Sequence, residues 1–248
     1  MNRGIQAVAG SMVNSEQWLD TVSNNLANVN TPGFKRDGMT FQATLQQVSA
    51  NGGVGNAVGS ISSGSVIASP YSTLGELGPM NVTGRPLDVA LKTPGAMFAV
   101  RDASGKISYT RDGSFTLDHD GNVVTQTGLQ VLDESKNPIQ IPVGGQPSIS
   151  PDGTVTSTLK GATTVVGKLG AFSGNLLKAG NNLYADPSGA GTTPAEHAKF
   201  AAGTLEGSNV NPVEAMLDLI KIGRSYELQQ KSITQQDQLT QKLVSTIG

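Results

Sequence analysis

The sequence predicts an α+β fold in which N- and C-terminal helices pair in a coiled-coil-like way around a central, mostly antiparallel β domain. Three observations carry the prediction. Apolar residues recur at alternating three- and four-residue steps at both ends of the chain. Between them, short β-prone runs alternate with Asp-Gly pairs. The 31 glycines and 12 prolines imply many turns.

Residues 1–34 form the N-terminal helical segment. Ile5, Val8, Met12, Ser15, Leu19, Val22, Leu26 and Val29 lie on one narrow seam, apolar except at Ser15. Pro32 disfavours helical geometry at Thr31, and Gly33 tolerates positive φ, so the helix is expected to stop near 28–30. About 26 helical residues would span roughly 39 Å.

Residues 206–248 form the C-terminal counterpart. Asn211 is an N-cap, Pro212 suits the first helical position, and Glu214 completes the start signal. The seam runs through Ala215, Leu219, Ile222, Tyr226, Gln229, Ile233, Gln236, Thr240, Leu243 and Ile247, broken by Gln229, Gln236 and Thr240. Two narrow, imperfect seams at opposite ends of one chain are expected to pair with each other, marginally, and to need neighbours.

Residues 35–75 are a Gly/Ser-rich connector, extended or a β-hairpin, with the low-complexity stretch at about 49–70. Residues 76–205 are the β-rich domain. MFAVR, KISYTR, SFTLD, NVVT and TTVVGKLGAF read as strands, and Asp112-Gly113, Asp120-Gly121 and Asp152-Gly153 as type I′ hairpin turns.

Composition excludes several functions. A net charge of −2 gives no electrostatic case for nucleic acid, and zero cysteines exclude disulfides, thiolate metal sites and a cysteine nucleophile. No apolar run is long enough for membrane insertion. MNRGIQAVAGSMVNSEQW is too broken for a signal peptide, so export would use a route without a cleaved leader.

Catalytic motifs are missing as well. LDHDGN around His119 lacks the alternating acids of a calcium loop and reads as a hairpin turn, and His197 reads as a solvated loop residue. GSISSGS lacks the lysine of a phosphate loop. Trp18 and Phe34 read as packing residues, and Lys35-Arg36 as solvent-facing charges that complement a helix end. No catalytic residue, cofactor or metal ligand is expected, so the protein is read as a non-enzyme. Amides remain unexplained: Asn24, Asn25 and Asn28, and the glutamines of the C-terminal segment, form either a merely soluble surface or a polar contact surface.

NNLANVNTPGFKR at 24–36 resembles the N-terminal signature of the bacterial flagellar rod and hook proteins, the axial family. GRPLDVAL at 84–91, YTRDGSFTLDHDGNVVTQTGLQVL at 109–132 and LEGSNVNPVEAMLDLIKIGRSYELQQK at 205–231 resemble its β-domain entry, central hairpin and C-terminal motif, in the family's order. Within that family the stretch LKTPGAMFAV departs from the distal-rod pattern and is more similar to a proximal rod subunit. The alternatives are the distal rod or another axial subunit and, remotely, a secreted enzyme with helical arms.

The resemblance implies a structural subunit of the basal-body rod, which spans the periplasm and transmits torque to the hook. Its implied partners are other rod and hook–basal-body components, further copies of itself, and the flagellar type III export apparatus. It also implies that Asn24, Asn25, Leu26, Asn28, Thr31, Pro32, Gly33 and Phe34, with Glu206, Gly207, Ser208, Asn209, Asn211 and Pro212, lie where subunits meet. Buried amides there would fix the register of a helical lattice, because an unpaired amide is costly to bury.

Overall fold

A computed structural model describes residues 3–46, 63–187, 192–195 and 197–247. The chain divides into two compact units, one helical and one β-rich.

The helical unit contains α1 (Arg3–Ala27), α2 (Pro212–Ile247) and a two-stranded sheet of Asp37–Gln46 and Ser63–Ser72. The middle of the Gly/Ser-rich connector, 47–62, lies outside the described residues. α1 ends one residue before the expected 28–30 zone, and α2 begins at Pro212. Asn211 caps α2: its side-chain oxygen accepts from the N–H groups of Val213 at 3.1 Å and Glu214 at 3.4 Å, and its carbonyl accepts from Ala215.

α1 and α2 contact one another, and the seam residues whose side chains are described, from Val8 to Leu26 and from Ala215 to Gln236, are turned away from solvent. Val22, Ala215 and Ile222 are buried, while Met12, Leu19, Tyr226 and Ile233 are half-buried. Two of the polar interruptions meet: Gln229 Nε2 donates to Ser15 Oγ at 3.2 Å. The seam thus satisfies this pair of polar breaks internally, as buried polar groups require.

Among the described residues of the β unit all strand pairings are antiparallel. The main sheet runs Leu177–Gly180, Leu183–Ala185, Ile107–Thr110, Met97–Arg101, Gln130–Val131, Val123–Thr125, Phe115–Leu117, with Ala171–Ser173 also against Met97–Arg101. Met97–Arg101 is central and covered on both faces, which is why its sequence is a continuous apolar run rather than an alternating one. Phe98 and Val100 face one core with Val89, Leu91, Phe115, Val123 and Phe200. Met97 and Ala99 face a second, with Tyr109, Leu132, Phe172 and Tyr184. Phe98 and Phe115 meet edge to face, centroids 5.1 Å apart. A separate three-stranded sheet, Gln146–Ile149, Thr154–Leu159 and Ala162–Lys168, adds Ile149 and Val155 to the first core.

The expected strands form, but TTVVGKLGAF is split between Ala162–Lys168 and Ala171–Ser173. The turns differ from the type I′ reading. One loop recurs at 102–106, 118–122, 125–129, 133–137 and 150–154: the first residue exchanges hydrogen bonds with the fourth and fifth, and the fourth has positive φ. Such three-residue loops need a left-handed residue only at their end, supplied by Gly105, Gly121, Gly128, Lys136 and Gly153. The first side chain secures the loop: Asp102 Oδ1 accepts from the N–H groups of Ser104 and Lys106, and Asp118 Oδ1 from those of Asp120 and Asn122. LDHDGN is one of these loops. The type I′ pattern, positive φ at two central residues, occurs instead at Lys160-Gly161 and at Asn181-Asn182. Asp112-Gly113 is not a hairpin turn, since the strands flanking it pair with other strands. Gly113 is needed because a Cβ there would collide with the Val89 carbonyl.

The Asn122 side chain and nearby backbone amides hold the Asp118 carboxyl below the usual carboxylate range. Its support for the fold is therefore present above about pH 3.8 and lost as pH falls through its folded-state value. Asp118→Asn keeps an acceptor oxygen and removes the charge. The stability difference between wild type and variant, from urea titrations across acid pH, is expected to disappear at the low end.

Candidate functional site: a buried carboxylate clamp

Parts of two of the signature motifs, 28–36 and 205–210, meet inside the β unit. Glu206, the last residue of the short strand Thr204–Glu206, is fully buried. Its Oε1 accepts from Lys35 Nζ at 2.6 Å and from the Gly78 N–H at 2.9 Å, and its Oε2 from Arg111 Nε at 2.5 Å. Its backbone carbonyl accepts from the Gly33 N–H at 2.7 Å. Lys35 also donates to the Glu76 carbonyl. The rest of the Arg111 fork is bound to the carbonyls of Leu91 at 2.6 Å, Thr93 at 2.9 Å and Ala96. One carboxylate thus joins four separate stretches of chain: 33–35, 76–78, Arg111 and the strand at 206.

Lys35 and Arg111 are among the largest fully buried side chains in the protein. The reading of Lys35 as a solvated charge is corrected here: Glu206 neutralises it and the Glu76 carbonyl completes its shell. Burial still holds its ammonium below the ordinary lysine range, against the opposing pull of Glu206. Between that lowered value and 10.5 the unfolded chain binds the extra proton, so stability should rise with pH in that window. Lys35→Met should abolish this alkaline rise, as measured by urea titrations at increasing pH.

The other signature residues surround the clamp. Gly33 has φ +67° and packs against the Arg111 backbone. Phe34 is buried, with Lys178 Nζ 4.2 Å from its ring centroid and also donating to the Lys35 carbonyl at 2.7 Å. The Asn182 amide donates to the Pro32 carbonyl at 2.9 Å. Thr31 donates to Asn28 Oδ1 at 3.1 Å. Asn209 bridges: its Oδ1 accepts from the Arg36 N–H at 2.7 Å, and its Nδ2 donates to Thr73 Oγ1 at 2.9 Å. Ser208 is buried and accepts from the Val210 N–H, and Gly207 donates its N–H to the Pro79 carbonyl.

In the helical unit, Asn25 is buried and reads both backbone groups of Asp37: Nδ2 donates to the carbonyl at 2.7 Å and Oδ1 accepts from the N–H at 2.9 Å. Asn25, in the last turn of α1, therefore satisfies the chain after it has left the helix. Leu26 is half-buried, while Asn24, Asn211 and Pro212 are exposed. Arg111 and Glu206 as ion partners were beyond sequence reasoning. The available signal was confined to Glu206, a lone charge between an apolar residue and a glycine in TLEG.

Among the described residues no group of side chains is arranged to hold a metal ion, and no helix is long and apolar enough to cross a membrane. Chemically the clamp is a structural junction: every charge in it is answered by protein.

Three family models match this chain. "Flagella basal body rod protein" covers residues 9–35, "Flagellar hook protein FlgE/F/G D1 domain" 95–157, and "Flagellar basal body rod FlgEFG protein C-terminal" 201–246. Among curated relatives, the flagellar basal-body rod protein FlgG of Bacillus subtilis is 34% identical, covering 99% of both chains. FlgG of Buchnera aphidicola subsp. Schizaphis graminum is 35% identical over 91% of this chain and 92% of its own. The rod protein FlgF of Caulobacter vibrioides is 35% identical over 93% and 91%. The clamp's cations and carboxylate fall inside or beside the matched segments, and the likeness runs nearly end to end: the chain belongs to the flagellar basal-body rod protein family.

Proposed function

We propose that this chain polymerises with other axial subunits into the proximal segment of the rod, using the outer face of α2 as its main contact surface. Its role as a structural rod subunit rather than an enzyme follows from the family. The observation that carries the assembly mode is a second apolar row on α2. Val213, Leu217, Ile220 and Leu228 are each more than half exposed, and Met216 lies beside them. They sit apart from the seam positions Ala215 and Ile222, which are buried. A helix apolar on two sides, in a unit this small, has an area available for burial by neighbours.

In this reading α1 and α2 pair as a short coiled coil and pack beside neighbouring pairs. The exposed signature residues Asn24, Asn211 and Pro212 meet adjacent subunits. The buried ones hold each unit together by itself, Asn25 in the helical unit and Gly33, Phe34, Glu206 and Ser208 in the β unit, and Leu26, Asn28, Thr31, Pro32, Gly207 and Asn209 are half-buried. The LKTPGAMFAV stretch favours the proximal over the distal segment. Delivery uses the flagellar export apparatus without a cleaved leader, and the rod crosses the periplasm.

Leu217→Glu with Ile220→Glu should leave the thermal unfolding of the free chain within about 0.5 kcal/mol, as surface changes do. The same variant should be lost from purified hook–basal bodies. Wild-type incorporation by this variant, counted by quantitative mass spectrometry, would refute the contact surface. A wild-type count of only a few copies per basal body supports the proximal segment, and a large count moves the chain to the distal one.

A further inference from the structure

The clamp differs from the rest of the β unit in what holds it. The main sheet is sandwiched between two apolar cores, and Lys35, Arg111 and Glu206 belong to neither. The strand pairs next to the clamp are three residues long: Thr204–Glu206 with Met80–Val82, and Phe200–Ala202 with Val89–Leu91. The segments 28–36 and 204–210 are joined to each other and to the unit largely by polar contacts, and Glu206 is the residue where most of them meet: its carboxylate accepts from Lys35, Gly78 and Arg111, and its backbone carbonyl from Gly33. Removing Glu206 from its place would leave the N–H groups of Gly33 and Gly78 and two cations without their acceptor at once. Those contacts must therefore form and break together. The Arg111 fork, by contrast, stays aimed, because the carbonyls of Leu91, Thr93 and Ala96 hold it from the sheet side.

We propose that segments 28–36 and 204–210 form a latch, closed by the Glu206 carboxylate, that opens and recloses as one unit while the main sheet stays folded. The latch segments carry three of the four points where the chain enters or leaves the β unit, at 27/28, 36/37 and 210/211, so its state governs how firmly those stretches are fixed. It is a property of the single chain and stands whether or not the assembly surface on α2 is correct.

Native-state hydrogen exchange on the full-length wild-type chain tests it. The reporters are the amides of Gly33, Gly78 and Asn209, against that of Leu132, which donates to Ala99 within the sheet. The latch amides should exchange at one shared rate, at least tenfold faster than the sheet amide, with a weaker dependence on added urea. Glu206→Gln should speed the latch amides a further hundredfold or more and the Leu132 amide less than threefold. If latch and sheet amides of the wild type exchange together with the same urea dependence, the latch does not exist. The wild-type comparison decides the matter even where the variant fails to fold.

Discussion

Glu206→Gln is expected to weaken the clamp by about 3–5 kcal/mol, the range for leaving buried charge without its partner. The substitution preserves shape and an acceptor oxygen, so the effect isolates the charge. Wild-type Glu206 lies against two cations; glutamine would leave Lys35 and Arg111 buried together with no anion between them. Lys35→Met is different in kind. It deletes an ammonium already disfavoured by burial and leaves Arg111 and Glu206 as a neutral pair with the Gly78 amide intact. Its loss should be less than half that of Glu206→Gln. The double variant Lys35→Met/Glu206→Gln should be more stable than Glu206→Gln alone, because one of the two stranded cations has gone. Exchange of the Gly33 and Gly78 amides in the four proteins completes the cycle. A double variant worse than Glu206→Gln would show that charge balance is not what the clamp supplies.

The second large effect is Gly33→Ala. Gly33 is held at φ +67°, where an L side chain costs roughly 1–2 kcal/mol. A Cβ would also lie 2.6 Å from both the Arg111 carbonyl oxygen and the Asp112 nitrogen, which are backbone atoms that cannot step aside. Adding an overpacking cost of about 1–3 kcal/mol, the loss should reach roughly 2–5 kcal/mol. Gly10→Ala is the matched control. It lies in α1 with nothing within 4 Å of its added Cβ, so alanine there should stabilise the helix by about 1 kcal/mol. Thermal melts of the two variants should move in opposite directions. Equal shifts would mean that the Gly33 conformation relaxes without cost.

What could be read from the sequence followed from the range of the forces involved. The seams of α1 and α2 were legible because helical periodicity is local, and the α2 start because Asn211, Pro212 and Glu214 are adjacent. The strands were legible for the same reason. Turn type was not: Asp-Gly suits several loops, and the choice was made by the first side chain accepting amides two and four residues on. The clamp was illegible because its charges lie at 35, 111 and 206, and only the folded sheet brings them together. Lys35 shows the cost of judging a charge by its neighbours in sequence: beside Arg36 it looks solvated, yet its partner is 171 positions away.

The unequal lengths of the two helices have a thermodynamic consequence. α2 has 36 residues and α1 has 25, so eleven residues of α2, roughly 16 Å, have no stretch of α1 to lie beside in any alignment. Apolar spacing in that surplus gains nothing from α1. If the surplus is buried by neighbouring subunits, as the proposed assembly requires, helix order at that end of α2 depends on their concentration and is set by mass action as well as by the fold.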